Sequence, residues 1–327
     1  MTRLMIILAL IVAVLFCAAL VIGPARIGPV ESLRALFVDD QSALTLVMRE
    51  IRLPRAILAL VIGASLGLAG AAMQGYLRNP LADPGLIGVS GSAALGAVLA
   101  IQTGLAASVA FALPLSALAG ALIGVSLVLV LAGPRGSSLT LILAGIAISA
   151  LAGALTSLVL NLSPNPYAAN EIVFWMMGSL ADRSMTHVWI ALPLIAFGSL
   201  LLASLARGLD ALTLGEDAAE AMGINLRRLR LTLIFGTAAV VGASTAVAGA
   251  IGFIGLVVPH ILRPFVGARP GRLLWASALG GAVMLMAADI AVRVILPARD
   301  LKLGVLTALV GAPLFLHLIY KTRKDGL

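Results

Sequence analysis

The chain has 327 residues, of which 61% are apolar and only 11% charged, against roughly a quarter charged in ordinary soluble domains. That composition, with a mean hydropathy of +1.13, excludes a soluble globular protein and a disordered chain, and a single cysteine, Cys17, excludes a disulfide framework or a cysteine-built metal site. The net charge of +8, 22 Lys and Arg less 14 Asp and Glu, would suggest nucleic acid in a soluble protein, but in a lipid-embedded chain it points to basic loops, and no nucleic-acid partner is expected.

A helix crossing the hydrocarbon core needs about 20 mainly apolar residues, so stretches free of Asp, Glu, Lys and Arg mark the spans. Residues 4–25 and 56–77 each hold one; 84–134 holds two, divided near Gln102-Thr103-Gly104. Residues 136–170 give a span that ends before the polar turn Asn161 to Pro166, and 184–206 gives another. The run 231–262 is too long for one crossing and contains Gly252, Gly255 and Pro259, so it reads as a full span at 231–250 and a short, broken one at about 254–268. Spans at 273–296, interrupted by Asp289 and Arg293, and at 303–320 complete the set. The expected fold is an all-α membrane protein, one transmembrane domain over 1–327 with about ten helices.

Charge placement tests the short span. With ten spans and both termini cytoplasmic, the inner loops collect Arg3, Arg78, Arg135, Arg207, Arg227, Arg228, Arg230, Arg263, Arg269, Arg272, Lys321, Arg323 and Lys324, leaving Arg26, Arg34, Arg49, Arg52, Arg55, Arg183, Arg293, Arg299 and Lys302 outside or embedded. Without a crossing at 254–268 this positive-inside bias reverses. The first segment reads as an uncleaved helix, its apolar run being longer than that of a signal peptide and followed by no A-x-A site. Glycines spaced as Gly63, Gly67 and Gly70 predict close helix packing.

Three sets of residues invite chemistry. Gly88-Val89-Ser90-Gly91 resembles the G-x-S-G string of rhomboid intramembrane proteases, with His260 or His317 as a base; a four-residue match in a Gly- and Ser-rich chain carries little weight. His187, His260 and His317 are scattered, so no metal site is expected, and there is no P-loop to hold a nucleotide. Asp289 is the one plausible intramembrane carboxylate, which an ion-coupled secondary carrier would need, but Arg293 follows it by four residues and predicts an intrahelical pair. Arg52 and Arg55, at the outer end of the second span, read from composition alone as snorkelling anchors. Asn79-Pro80 and Asp83-Pro84 predict a non-helical reversal, read as a tight cytoplasmic turn. The polar loop 207–230 contains Asp217 to Gly223, which predicts a short helix with a Gly stop.

Four strings then carry a resemblance over nearly the whole chain: Arg52-Leu53-Pro54-Arg55, Asn79-Pro80-Leu81-Ala82-Asp83-Pro84-Gly85, Gly252-Phe253-Ile254-Gly255-Leu256-Val257-Val258-Pro259-His260, and Leu303-Gly304-Val305-Leu306-Thr307 with Gly311-Ala312-Pro313. In this order they resemble the permease subunits of type II ABC importers, the group that includes the vitamin B12, haem and ferric-siderophore permeases. The resemblance implies a vitamin B12 permease-like bundle in the bacterial inner membrane, a homodimer, two separate ATPase subunits that hold ATP and Mg, and a periplasmic binding protein. It implies a channel without catalytic residues, cofactor or metal of its own, moving a metal chelate inward, with an iron chelate preferred.

The resemblance also implies roles for residues. Arg52, Arg55 and Arg293 would receive glutamates of the binding protein. The segment Leu214, Gly215, Glu216, Asp217, Ala218, Ala221, Met222 and Gly223 would couple to the ATPase. Asn79 with Ser137, Ser138 and Leu139 would form a cytoplasmic gate, although turn formation and helix capping explain the same side chains. The chain departs from the family pattern at Asp300-Leu301-Lys302-Leu303, where Lys302 alters the outer rim, and at Pro264 after Arg263.

Overall fold

The computed structural model describes residues 2–23, 27–38, 42–109, 111–133, 137–295 and 301–324. Ten apolar helices organise them. They are α1 (Thr2–Val21), α2 (Ala43–Leu77), α3 (Val89–Gln102), α4 (Ala112–Ala132), α5 (Ser138–Asn161), α6 (Met185–Ser204), α7 (Leu226–Ala248), α8 (Ile254–Leu262), α9 (Pro270–Ile295) and α10 (Leu303–Lys324). Seven are long and apolar enough to cross a bilayer, and α3, the α8 segment and α10 supply three shorter apolar stretches. The expected set of about ten helices is therefore present, and no described residue lies in a strand.

Several boundaries differ from the sequence reading for local reasons. The second span begins at residue 43 rather than 56, because a π-helical stretch, Val47–Arg52, carries the helix through its charged start. The seventh begins at 226 rather than 231, because the Asn225 side chain accepts the Arg228 N–H at 2.8 Å and caps the helix upstream of the arginines. Short helices at Pro29–Phe37 and Pro166–Met176 are additional, the latter started by Asn165, whose side chain accepts the Tyr167 N–H. Arg26, Arg135, Arg299 and Asp300 fall outside the described residues.

The core sits around α2 and α7, whose apolar windows are 78% and 72% buried, against 17–39% for the other five long helices. With no water to drive association, helices in lipid gain by close backbone approach at small residues. Along α2 that prediction holds. A Cβ on Gly67 would overlap the carbonyl oxygen of Ser277, one on Gly70 the carbonyl of Gly255, and one on Gly281 the carbonyl of Gly63. The pairings 63 with 281 and 67 with 277 run α9 antiparallel to α2, and α3 pairs with α4 in the same manner through Gly96 against Ser116 and Gly120 against Ser92.

The turn after α2 departs from a simple cytoplasmic reversal. Asn79 turns the chain by accepting the Leu81 N–H at 2.9 Å, but residues 83–88 then fold back into the bundle as the 3-10 turn Pro84–Ile87. Pro84 packs on Gly255, which itself sits against Leu66 and Gly70 of α2. At 1.5 Å per residue those positions lie about 10 to 16 Å inside the Leu77 end of the helix. The apolar face of the turn, Ala82, Pro84 and Ile87, is buried, which composition around two Asx-Pro pairs did not reveal.

The Gly67 contact yields a direct prediction. Replacing it with Leu forces α2 and α9 apart, which should destabilise the detergent-solubilised protein by about 1–3 kcal/mol, read as a lowered unfolding midpoint. An unchanged midpoint would mean the two backbones are not in contact.

Candidate functional site

One end of the bundle carries the basic loops. Arg78, at the close of α2, lies 3.8 Å from Glu216, and Arg230 of α7 donates to the carbonyl of Gly133 at the end of α4 at 2.9 Å. Asp210 accepts the Gly271 N–H at 2.7 Å and so ties the loop before α7 to the start of α9. These contacts bring Arg78, Arg207, Arg227, Arg228, Arg230, Arg263, Arg269 and Arg272 to loops or helix starts of the same end, as the alternation of ten spans requires.

On that end the polar loop forms two short helices, Ala206–Leu212 and Glu216–Ala221, rather than the single one expected. The break is Gly215, at φ 104°, a conformation that side chains strain to adopt. Gly223, at φ 83°, ends the second helix. Ala219 is fully buried and holds the elbow down, whereas Leu214 and Met222 are 70% and 53% exposed. Glu216, Asp217 and Ala221 face solvent and Ala218 is half-buried, so the segment presents small and acidic side chains beside two bare apolar ones.

The expected gate residues share this end. Ser137 caps α5 by accepting the Thr140 N–H at 3.2 Å, and Asn79 closes its own turn. These are the capping and turn roles that their residue types predict. Leu139 is 64% exposed, and the Tyr76 hydroxyl meets Ser138, which ties the end of α2 to the start of α5.

The opposite end gathers the arginines around a single carboxylate. Asp289 of α9 is fully buried; Arg55 donates to its Oδ1 at 2.8 Å, and Arg293 pairs with its Oδ2 one helical turn away. The last carbonyls of any helix lack intrahelical donors, and here two guanidinium groups supply them. Arg52 donates to Leu20 O and Val21 O at 2.9 and 2.8 Å, and Arg293 to Ala19 O and Ile22 O at 2.8 and 3.1 Å. The intrahelical Asp289–Arg293 pair is as predicted, but Arg52 and Arg293 do not stand open to a partner. They are 4% and 8% exposed and hold the end of α1, while Arg55 is the more accessible, at 17% of its side chain. Lys302 lies over the Phe174 ring, 5.4 Å from its centroid.

Between the two ends, α7 stops at Ala248 and the backbone runs irregularly through 249–253 before α8 begins. Gly249 and Phe253 take positive φ, 71° and 69°. Pro259 lacks the N–H that would reach Gly255 O, and Gln74 of α2, 1% exposed, stands in its place. Its Nε2 lies 3.1 Å from Leu256 O and 3.5 Å from Gly255 O, and its Oε1 accepts from Arg263 at 2.8 Å. Beside the break, Asp83, Ser90, Ser244 and Thr245 line a cavity of about 30 Å³, room for about one water. The Ser244 hydroxyl has no partner there among the described residues. The sequence motifs name Asp83 for the turn alone and do not include Gln74, whose signal is a lone amide in an apolar span.

The catalytic alternatives find no constellation. Ser90 hydrogen-bonds no histidine among the described residues; His187 pairs with Ser184 as a helix cap, and His317 is exposed on α10. Asp289, the carboxylate a carrier would use, is occupied by two arginines. No group of three or more His, Cys, Asp or Glu that could hold a metal occurs among the described residues.

Comparison with known proteins agrees with this architecture. The model of the FecCD transport family matches residues 10–321. The hemin transport system permease protein HmuU of Yersinia pestis is 39% identical over 318 residues, 94% of this chain and 93% of its own. The cobalamin import system permease protein BtuC of Halobacterium salinarum is 41% identical over 276 residues, 84% of this chain and 73% of its own. A solved structure described as a metal-chelate type ABC transporter in an inward-facing conformation superposes with a TM-score of 0.86 at 34% identity, over 98% of this chain and all of that one.

The arginine cluster makes a ranked prediction. Asp289→Asn leaves Arg293 buried without its counter-charge and should cost about 3–5 kcal/mol of stability, whereas Arg55→Gln, at the more accessible edge, should cost less. Thermal unfolding in detergent measures both, and equal effects would contradict the assigned burial.

Proposed function

Because the chain belongs to the FecCD transport family, permease subunits of metal-chelate ABC importers, we propose that it forms half of a homodimeric channel carrying a metal chelate, an iron chelate in preference to cobalamin, from periplasm to cytoplasm. The observation that carries this reading is the superposition over 98% of the chain on a metal-chelate ABC transporter, together with a haem permease at 39% identity. In this reading the basic end is cytoplasmic, both termini lie on that side, and the membrane is the bacterial inner membrane.

Transport work is supplied by two ATPase chains that bind ATP and Mg; this chain contributes positioning and a path, with no cofactor of its own. Support for coupling through 214–223 is the exposed elbow at Gly215, where Leu214 and Met222 offer adaptable apolar contact. Asn79, Ser137, Ser138 and Leu139 form the proposed cytoplasmic gate. Support is their common end and the Tyr76–Ser138 contact between the helix ends that flank its two loops. At the periplasmic end Arg55 is the leading contact for a glutamate of the binding protein, since a guanidinium grips a carboxylate with parallel hydrogen bonds. Arg52 and Arg293 contribute by exchanging the α1 carbonyls for that partner.

Reconstituted with its ATPase and binding protein, the permease should take up labelled ferric siderophore or haem, stop on ATP depletion and continue with an uncoupler. Gly215→Trp and Ala221→Arg should abolish uptake and co-purification with the ATPase while membrane insertion persists. Co-purification that survives both changes would remove the coupling role, and uptake driven by an ion gradient would remove the importer reading.

A further inference from the structure

A second surface lies on the flank of the bundle and opens at the basic end. Helices α4, α6 and α7 splay to leave an apolar groove of about 670 Å³. The shape follows from residue size. Gly198 and Gly236 bring α6 against α7, and Gly242 sits on Ala121 of α4, so the floor is made of small side chains such as Ala121, Ala238 and Ala239. The walls are bulky and open to the surroundings: Leu122 is 64% exposed, Phe197 57% and Phe235 45%.

The groove runs along one stripe of α7 from Asn225 to Ala239. At 1.5 Å per residue that is about 20 Å, close to half of a bilayer about 40–45 Å thick with its headgroup regions. One end is charged. Arg227 and Arg228 line its mouth and are exposed, and neither pairs with a carboxylate among the described residues. Arg230, on the same turn of α7, is engaged with Gly133 O at the end of α4. The Arg228 N–H is already taken by the Asn225 side chain, so an anion there would be held by the guanidinium groups rather than by the helix terminus.

We propose that this groove binds an anionic glycerophospholipid, with an acyl chain laid along α7 and the headgroup phosphate between Arg227 and Arg228. The match is one of charge and length: two cations at the basic end with no carboxylate partner among the described residues, and an apolar trough about half a bilayer long. Juxtamembrane arginines gain from anionic headgroups, and a guanidinium is suited to phosphate in particular. Lipid held here touches α7 directly after the elbow 206–223, so its occupancy can bias the helix that follows the coupling segment.

Native mass spectrometry of the full permease, exchanged into mild detergent with equal phosphatidylglycerol and phosphatidylcholine, tests the assignment. The wild type should retain phosphatidylglycerol selectively. Arg227→Gln with Arg228→Gln should lower that retention by about ten-fold, and Ala238→Trp, which fills the trough, should lower retention of both lipids. Arg269→Gln with Arg272→Gln, the same charge change elsewhere on the basic end, should leave retention at the wild-type level. Each variant is first shown to keep the wild-type unfolding midpoint to within a few degrees. Four outcomes overturn the proposal: equal retention of the two lipids, retention unchanged in the Arg227/Arg228 variant, displacement by inorganic phosphate alone, or loss of ATPase co-purification with lipid retained, which assigns the pair to the ATPase interface instead.

Discussion

Backbone amides and carbonyls that cannot reach water must be satisfied inside the protein, and in hydrocarbon this leaves helices as almost the only free-standing element. The chain breaks its helices twice within the bundle, at 83–88 and at 249–253, and both breaks rest on α2 or its neighbours. The glycines of α2 make this possible. Removing side chains at 63, 67 and 70 lets the carbonyls of Gly281, Ser277 and Gly255 approach the helix directly. Gln74, four residues further on, supplies donors beside the carbonyl that Pro259 leaves unpaired. A smooth helix face for packing and one polar amide for repair are thus combined on a single element.

Apart from Asp83 beside the break, charged side chains gather at the two ends, and the ends differ. At the Asp289 end every guanidinium of the cluster has a structural partner, so the positive charge serves first to fix α1 against α2 and α9. At the basic end, Arg227, Arg228, Arg269 and Arg272 are exposed, and the elbow at Gly215 lifts apolar side chains into the open. A packed middle with a reactive rim suits a protein that does no chemistry itself. In the proposed reading, work done by an ATPase at the basic end is transmitted through rigid helices, and close glycine contacts transmit displacement because packed interfaces deform little.

Much of this was legible in the sequence because lipid imposes a simple rule. Charged residues marked the ends of spans, and the spacing of Gly63, Gly67 and Gly70 announced the packed face before any partner helix was known. What escaped was depth and distance. The pattern around Asp83-Pro84 has the composition of a solvated turn, and hydropathy cannot tell that it folds back toward Leu66. Arg52 looked like a snorkelling anchor because its acceptors are carbonyls on α1, which any residue type provides and no motif records. The helices at 29–37 and 166–176 were missed since neither is long enough to stand out from an apolar background. Asn165 and the proline after it were the available signals for the second.

The central claim is that α2 and the elements locked on it form one rigid unit, with motion restricted to the basic end. Hydrogen–deuterium exchange in lipid nanodiscs, with the ATPase present and with or without ATP, tests it most directly, because exchange reports local opening. The account predicts slow, nucleotide-independent exchange at 63–74, 83–88 and 249–256, even though the latter two are irregular, and nucleotide-dependent exchange at 78–81, 137–139 and 206–223. Rapid exchange at 249–256, or nucleotide-dependent exchange along α2, would contradict it.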